Sequence, residues 1–249
     1  MGHSLAHAYA LPPKEVSSKY EWAKDLKPLL QIKALALVPI LREPVLHGGM
    51  RWANDELQVL SADGTTIRRW RPYQGRFAER EPSSITLEAA EKMFWAAPLS
   101  PVFEVNGPKL DYRPERKERV IWSIQMGMDL TGYEWNPKTQ TWLGWTLSPR
   151  QLFVLADPYR NFHRIAWSAE GEPVRFLACD TVRTVLIENI DNGLSRFSFF
   201  KDAKPVGYTL FDFAGGTRRS EITSVAALGC SDFVVSGSFG VTRVAYPRW

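Results

Sequence analysis

A short stretch of the sequence joins two runs of β-forming residues at the dipeptide Asp63-Gly64. Asp-Gly between two such runs is among the strongest short-range signals for a β-hairpin. A similar stretch occurs near the C-terminus, around Gly240. In both stretches an aromatic residue follows the glycine by six positions, Trp70 in the first and Tyr246 in the second. The sequence therefore predicts a β-hairpin unit that is repeated along the chain.

Most of the chain after Val120 consists of short β-forming runs separated by turn residues. The turn signals include Asn136-Pro137 and Gly215-Gly216, and they separate roughly a dozen predicted strands at spacings of about 8–12 residues. The 10 Trp, 13 Phe and 8 Tyr residues suit pleated, half-buried surfaces. The pattern predicts a mainly β fold, built as a sandwich, a barrel or a propeller.

Several segments match the repeat pattern of one family. The segment from Ser61 to Trp70 resembles the end of a WD40-type β-propeller blade with one extra residue, and segments 165–171 and 222–238 are similar to the strands that precede it. The resemblance covers about a third of the chain. It implies a mainly β chain of incomplete or degenerate propeller-like repeats with a short helical insertion. A β-sandwich or barrel is the alternative.

The organisation of the chain follows from where this β pattern starts and stops. Residues 1–44 are predicted to form an N-terminal leader or docking segment, and residues 45–249 a propeller-like β domain. Within that domain, residues 77–118 break the β pattern and carry an apolar stripe at helical spacing that includes Leu87 and Phe94. We therefore expect a helical insertion between β units over 77–118.

Charge, cysteine content and the lack of long apolar runs indicate in which compartment the protein is expected and which partners it can bind. The 31 basic and 27 acidic residues give a net charge of +4, which is far from the charge of a nucleic-acid-binding tail. We expect the two cysteines, Cys179 and Cys230, to be buried, reduced thiols in a reducing compartment. The N-terminus lacks a signal-peptide pattern, and no run reaches the roughly 20 apolar residues of a membrane span. The sequence thus predicts a cytoplasmic protein with no membrane partner.

No motif for catalysis, metal binding or cofactor binding stands out. Cys230 lies on a predicted turn, but neither an activating histidine nor a family signature accompanies it. His3 and His7 have helical spacing without carboxylate or thiolate companions. We therefore predict that the protein is not an enzyme and that it uses no cofactor and no metal. A hydrolase on a β scaffold stays as a third hypothesis, which requires a carboxyl or thiol group with a perturbed pKa in a deep pocket.

Arginines interleaved with aromatic residues are the most specific of the functional patterns. Both residue types are enriched at protein interfaces, and together they also bind phosphates and unpaired bases. The residues that we predict to contact a partner are Arg68, Arg69, Trp70, Arg71, Tyr73, Phe94, Trp95, Arg116, Arg218 and Arg219.

The predicted function is that of a non-enzymatic interaction or scaffold module within a multi-protein assembly, which presents loops and blade edges to a partner protein. The alternative is a nucleic-acid-associated subunit of a ribonucleoprotein or defence complex that uses the arginine and aromatic clusters. Other protein subunits are therefore the expected partners, and nucleic acid is the second class of partner. By analogy alone, degenerate propeller modules of this kind resemble components of bacterial conflict systems.

Overall fold

The computed structural model describes residues 9–10, 30–31, 36–73, 76–95, 103–112, 120, 122–126, 129–136, 141–147, 150–155, 162–166, 171–180, 182–190, 194–202, 204–213 and 221–247. The strands, in chain order, are β1 (Tyr9–Ala10), β2 (Leu30–Gln31), β3 (Ala36–Leu41), β4 (Val45–Ala53), β5 (Glu56–Ser61), β6 (Thr66–Tyr73), β7 (Arg76–Ser84), β8 (Phe103–Asn106), β9 (Lys109–Tyr112), β10 (Trp122–Gln125), β11 (Gly132–Asn136), β12 (Thr141–Leu147), β13 (Arg150–Leu155), β14 (Phe162–Ala166), β15 (Glu172–Ala178), β16 (Arg183–Ile190), β17 (Leu194–Lys201), β18 (Lys204–Asp212), β19 (Ile222–Gly229), β20 (Asp232–Gly237) and β21 (Gly240–Ala245). Among these residues one helix, α1 (Leu87–Ala90), continues directly into a π-helical turn over Glu91–Trp95.

The strands form five small sheets that follow one another along the chain. Four of them are purely antiparallel, and the remaining one adds a single parallel pair. This architecture confirms the prediction of a mainly β chain with propeller-like repeats. In the part of the chain that the structure describes, the sheets stay separate and do not close into a barrel.

The first sheet consists of β4, β5, β6 and β7 in that order and contains the predicted hairpin. The turn between β5 and β6 places Gly64 at φ +73°, and the Gly64 amide donates to the Ser61 carbonyl oxygen at 2.9 Å. Glycine adopts this left-handed conformation without steric cost. The Asp63-Gly64 signal therefore identified the turn correctly.

The interval 77–118 differs from the prediction of a helical insertion. Its first residues belong to β7, the edge strand of the first sheet, and its later residues form β8 and β9 of the second sheet. The helical part is confined to α1 and the π-helical turn. The strand β7 was missed because most of its residues are exposed and four of the nine are charged, so it lacks the apolar alternation that marks a half-buried strand.

The second sheet has the order β10-β9-β8, and the third has the order β11-β12-β13-β14. Both are antiparallel meanders, in which each strand pairs with the next strand along the chain. Trp142 on β12 and Phe153 on β13 are fully buried, where they pack with Leu110 and Tyr112 of the second sheet. A hydrophobic cluster thus joins these two sheets.

The fourth sheet pairs β15, β16, β17 and β18 in order, and β18 also pairs with the short strands β1 and β2. Five consecutive residues of β16, from Thr184 to Glu188, are buried. Because successive side chains of a strand point to opposite faces, both faces of this sheet are covered. The fourth sheet is therefore an interior layer of the described structure.

The fifth sheet unites the two ends of the chain. Its order is β19-β20-β21-β3, so that a strand from within residues 1–44 pairs antiparallel with the last strand. Through β3, the segment predicted as a leader contributes the last strand of this sheet and is there part of the β domain. The turn before β21 places Gly240 at φ +95°, and a Cβ there would lie 2.2 Å from the Leu41 carbonyl oxygen. Only glycine allows β3 to approach so closely.

Hydrophobic clusters join each sheet to the next, from the second sheet through to the fifth, and then the fifth sheet to the first. The first strands β11, β15, β19 and β4 contact one another in that order, as the inner strands of successive propeller blades do. The repeated aromatic residues Trp70 and Tyr246 are both buried in these clusters. Among clusters formed wholly by described residues, none joins the first sheet to the second.

Candidate interaction surface

A row of polar side chains crosses the face of the first sheet that points away from the fifth sheet. Strand pairing places Arg51 opposite Gln58, Gln58 opposite Arg69, and Arg69 opposite Arg80. Directly opposite residues of antiparallel strands share one face, so these side chains form a single line across the sheet. We call this line the arginine row. The sequence-based prediction included Arg69 but missed Arg51 and Arg80, because only the strand register brings the three together.

The arginine row carries more positive than negative charge. Glu56 lies on the same face and its Oε1 is 3.3 Å from Arg71 and 3.7 Å from Arg80. Arg51 donates to the Gln58 side chain at 2.9 Å and to the Met93 carbonyl oxygen at 3.0 Å, and its burial lowers its pKa. Among the described residues, Arg51 and Arg69 have no carboxylate within ion-pair distance. Arg69 is therefore the guanidinium group of the row that is available for an anion.

Tyr73 extends this face at the end of β6. Side chains two positions apart on a strand share a face, which places Tyr73 beside Arg71 and Arg69. The Tyr73 side chain is 65% exposed, the largest exposure of any large apolar or aromatic residue described. An exposed aromatic side chain beside guanidinium groups is the composition expected of a protein interface.

The other end of the face is covered by α1 and the π-helical turn. Thr86 caps the helix, and its side chain accepts from the Ala89 amide at 3.3 Å. Ala90 is fully buried against Leu60 and Ile67 of the sheet. The helical segment thereby shields the apolar end of the face and leaves the arginine row at its margin.

Phe94 and Trp95, both predicted partner contacts, lie in the π-helical turn. Phe94 packs in the cluster under the helix, with the Arg51 guanidinium 5.4 Å from its ring centroid. Trp95 is 39% exposed, and its Nε1 donates to the His47 carbonyl oxygen at 3.0 Å. A Cβ at Gly48 would lie 2.5 Å from that nitrogen, so the indole is seated against a position that requires glycine. Of the two, Trp95 has the surface to meet a partner.

Two predicted contact residues lie on the opposite face of the first sheet. Trp70 is 3% exposed within the cluster that joins the first and fifth sheets, so it has no surface to offer. Arg68 is held between Glu43 at 3.1 Å and Glu79 at 2.6 Å, and its guanidinium lies 5.3 Å from the Trp70 ring centroid. Neither residue is placed as a partner contact was predicted to be. Apolar packing between the sheets buries Trp70, and two carboxylates neutralise Arg68.

The predicted residues Arg116, Arg218 and Arg219 lie outside the described residues. The structure thus brings together Arg69, Arg71 and Tyr73, with Trp95 on the helical segment nearby.

Glu134 is a carboxyl group with a perturbed pKa that is engaged in packing between sheets. Burial raises the pKa of Glu134, and Arg175 opposes this shift from 2.9 Å across the third and fourth sheets.

A pocket of about 320 Å³ lies beside the first hairpin, away from Glu134, and is lined in part by Leu41, Asp63 and Arg68. Within the described chain, no three His, Cys, Asp or Glu side chains are grouped to hold a metal ion, and no helix is long and apolar enough to cross a membrane.

No protein-family model and no curated protein matches the sequence. Among solved structures, the chain is similar to YCF48 bound to a peptide (10% identity, TM-score 0.34), to a chain of the mitotic checkpoint complex (7% identity, TM-score 0.39) and to Chaetomium thermophilum Sqt1 bound to the N-terminus of a ribosomal protein (14% identity, TM-score 0.41). These matches cover 82%, 80% and 81% of this chain. The chain spans 51%, 61% and 58% of the length of those chains, respectively.

Proposed function

We propose that this chain is a non-enzymatic protein-binding module of a larger assembly, and that it receives an acidic segment of its partner on the arginine row and Tyr73. The observation that carries the proposal is the unbalanced charge of this face. Arg69 and Arg80 stand directly opposite each other, which is unfavourable between like charges unless an anion lies between them. Glu56 is close to Arg80 but already contacts Arg71.

Guanidinium groups suit such a partner because they bind carboxylates through two parallel hydrogen bonds. Arg51 and Arg80 flank Arg69 at the two ends of the row, so that a chain laid across the strands would meet successive positive groups. Tyr73 adds an exposed aromatic ring, which contributes apolar contact area at low cost in side-chain entropy. The face thus combines charge selectivity with an apolar anchor.

The edge of β7 that no described strand pairs with is less suited to the partner than the face is. Strand addition requires a run of unpaired backbone groups, and native sheets protect such edges with charged residues and proline. The strand β7 carries Arg76, Glu79, Arg80 and Glu81 as well as Pro82, which has no amide proton to donate. We therefore expect side-chain recognition on the face rather than pairing at the edge.

The test uses a photo-crosslinking amino acid placed at Tyr73 of the full chain, in cells of its natural source. The matched control places the same group at Tyr133, which is 46% exposed on the third sheet. We expect Tyr73 to capture a specific protein that Tyr133 does not capture, as identified by mass spectrometry. Capture of nucleic acid alone, or of the same set of proteins from both positions, would overturn the proposal.

The charge component is tested with the captured protein in purified form. Arg69→Glu should weaken its affinity by about tenfold or more, since the substitution places a like charge against an acidic partner. Lys204→Glu changes net charge equally at an exposed position on the fourth sheet and should leave the affinity within about twofold. Equal losses from the two substitutions would show a non-specific charge effect and contradict the assignment of the face.

A further inference from the structure

The two cysteines meet at the junction of the fourth and fifth sheets. Cys179 follows directly after β15, and Cys230 lies in the turn between β19 and β20. The strands β15 and β19 pack against each other, which brings their ends together. Both residues are thiols in the structure, and their side chains lie close enough for each to shift the pKa of the other. Side chains 51 positions apart in sequence are thus neighbours.

A charged pair surrounds the two sulfur atoms. Asp180 Oδ2 is 3.9 Å from the Cys230 sulfur and 2.7 Å from the Arg183 guanidinium. The contact with Cys179 and the positive charge of Arg183 lower the pKa of the Cys230 thiol, against its burial and against the Asp180 carboxylate to which that thiol donates. The same contact, together with burial, raises the pKa of Cys179. Cys230 is therefore the thiol that ionises first, while Cys179 holds its proton nearby.

The turn leaves room for a small reagent. Both cysteines are half-buried rather than enclosed. A Cβ built on Gly229, the residue before Cys230, would meet no atom within 4 Å. The Cys230 turn is anchored at its other side, where the Tyr246 amide donates to the Ser231 carbonyl oxygen at 2.7 Å. Cys230 is thus partly exposed on a turn that a backbone hydrogen bond anchors.

We infer that Cys179 and Cys230 form a site of reversible oxidation, at which hydrogen peroxide converts the two thiols into a disulfide that fastens the fourth sheet to the fifth. The Cys230 thiolate attacks one peroxide oxygen, the O–O bond breaks, and the departing hydroxide takes up a proton to become water. The resulting sulfenic acid is attacked by the Cys179 sulfur, which loses its proton as the S–S bond forms and a second water leaves. Two thiols are oxidised and one peroxide is reduced to two waters.

The disulfide would link positions that are distant in sequence and would restrict the unfolded chain. Such a bridge raises stability mainly by closing a long loop in the unfolded state. We expect the oxidised protein to melt about 5–10 °C above the reduced protein. Reduction with a dithiol should return the melting temperature to its original value.

The experiment treats the purified full chain with hydrogen peroxide, blocks remaining thiols, and maps the products by mass spectrometry after proteolysis without reduction. The expected result is a peptide pair joined through Cys179 and Cys230 within one molecule, formed together with the rise in melting temperature. Independent oxidation of the two cysteines, or bridges only between molecules, would overturn the inference. Because these readouts need only the natural sequence, they do not depend on a variant that folds.

Single variants test the order of the two steps. Cys179→Ser leaves Cys230 without its resolving thiol, so peroxide should yield a sulfenic acid there that a dimedone-type reagent captures. Cys230→Ser should react several-fold more slowly, because the remaining Cys179 packs against the core, where burial still raises its pKa, and the thiolate is the reacting form. Equal rates for the two variants would contradict the assigned roles of the two sulfurs.

Discussion

The fourth and first sheets are built on the same four-stranded plan but serve different purposes. Both faces of the fourth sheet are buried, one against the third sheet and the other against the fifth. The first sheet packs one face against the fifth sheet, and its other face carries α1 and the arginine row. The two sheets share the same pairing of four consecutive strands. They differ because the fourth sheet lies between two other sheets, whereas the first sheet, within the described residues, packs against another sheet on one face only.

The difference between the two sheets is also visible in how each treats its charges. Arg196 and Glu188 in the fourth sheet form a buried pair at 2.8 Å, with side-chain exposures of 6% and 0%. In the first sheet, Arg69 and Arg80 face each other, and Glu56 on the same face is shared between Arg71 and Arg80. A buried charge requires its counterion inside the protein, whereas an exposed one is left for water or for a partner.

The largest effect should come from removing a large aromatic residue of the fourth sheet. Phe197 is fully buried, and its ring centroid lies 5.1 Å from that of Phe211 and 6.0 Å from that of Phe233 in the fifth sheet. Phe197→Ala should lower the free energy of unfolding by about 3–5 kcal/mol, measured by urea denaturation, because it leaves a cavity between two sheets. Tyr73→Ala in the first sheet should change it by less than about 0.5 kcal/mol. Similar losses would refute the contrast between the two sheets.

Charge pairs in the two regions give the next test. Glu188→Gln should cost about 3 kcal/mol of unfolding free energy, because Arg196 then stays buried without its carboxylate. Glu88→Gln removes the exposed partner of Lys92 in the helical segment and should cost about 0.5 kcal/mol or less. Both values come from chemical denaturation in the same buffer. A small cost at Glu188 would mean that the fourth sheet tolerates charge as the first sheet does.

The sequence signals predicted the local elements of the fold well. The Asp63-Gly64 turn and the general β class both follow from residue preferences that act over a few positions, whereas Trp70, predicted as a partner contact, is buried between two sheets. The apolar stripe around Leu87 likewise marked the helix, although its extent is shorter than the interval 77–118. Local chemistry therefore determined the type of element, where the alternation of side chains was clear.

The features that depend on distant pairing were not predictable from the sequence. The strand β3 is recognised as part of the fifth sheet only through its partner β21, which lies at the other end of the chain. The arginine row depends on the register of four strands, and a shift of one residue would move each arginine to the other face. Arg68 and Arg69 are neighbours in sequence, yet one is neutralised beside Trp70 and the other belongs to the row.

A smaller effect on stability is expected at the N-terminal cap of α1. It tests how stably the helix covers the apolar end of the face that carries the arginine row. Thr86→Ala removes the acceptor of the Ala89 amide and should cost about 1 kcal/mol, whereas Thr86→Ser keeps the oxygen and should be nearly neutral. Hydrogen exchange should show the loss as roughly fivefold faster exchange of the helix amides, with no change in β16. Faster exchange in both regions would mean that the two sheets open together.

The finest distinction concerns two aspartates, one in a turn of each sheet. Hydrogen bonds from the Ser61 hydroxyl and the Thr65 amide lower the pKa of Asp63. At Asp180 burial opposes ionisation, but the Val182 and Arg183 amides and the Arg183 guanidinium outweigh it and also lower the pKa. Both carboxylates therefore stabilise the fold above the ordinary aspartate pKa of about 3.9, and this stability is lost as the pH falls through the lowered values.

Salt separates the causes of these two shifts. The Asp180 shift includes the charge of Arg183, whereas that of Asp63 rests on neutral donors. Added salt screens charges more than it weakens neutral hydrogen bonds. Salt at about 1 M should therefore raise the pKa of Asp180 toward its ordinary value and change that of Asp63 less. NMR titration of the carboxyl carbons in low and in high salt measures both pKa values. If salt changed the two pKa values equally, charge would contribute equally to both shifts. The difference in charge neutralisation between the fourth sheet and the first sheet would then not apply to their turns.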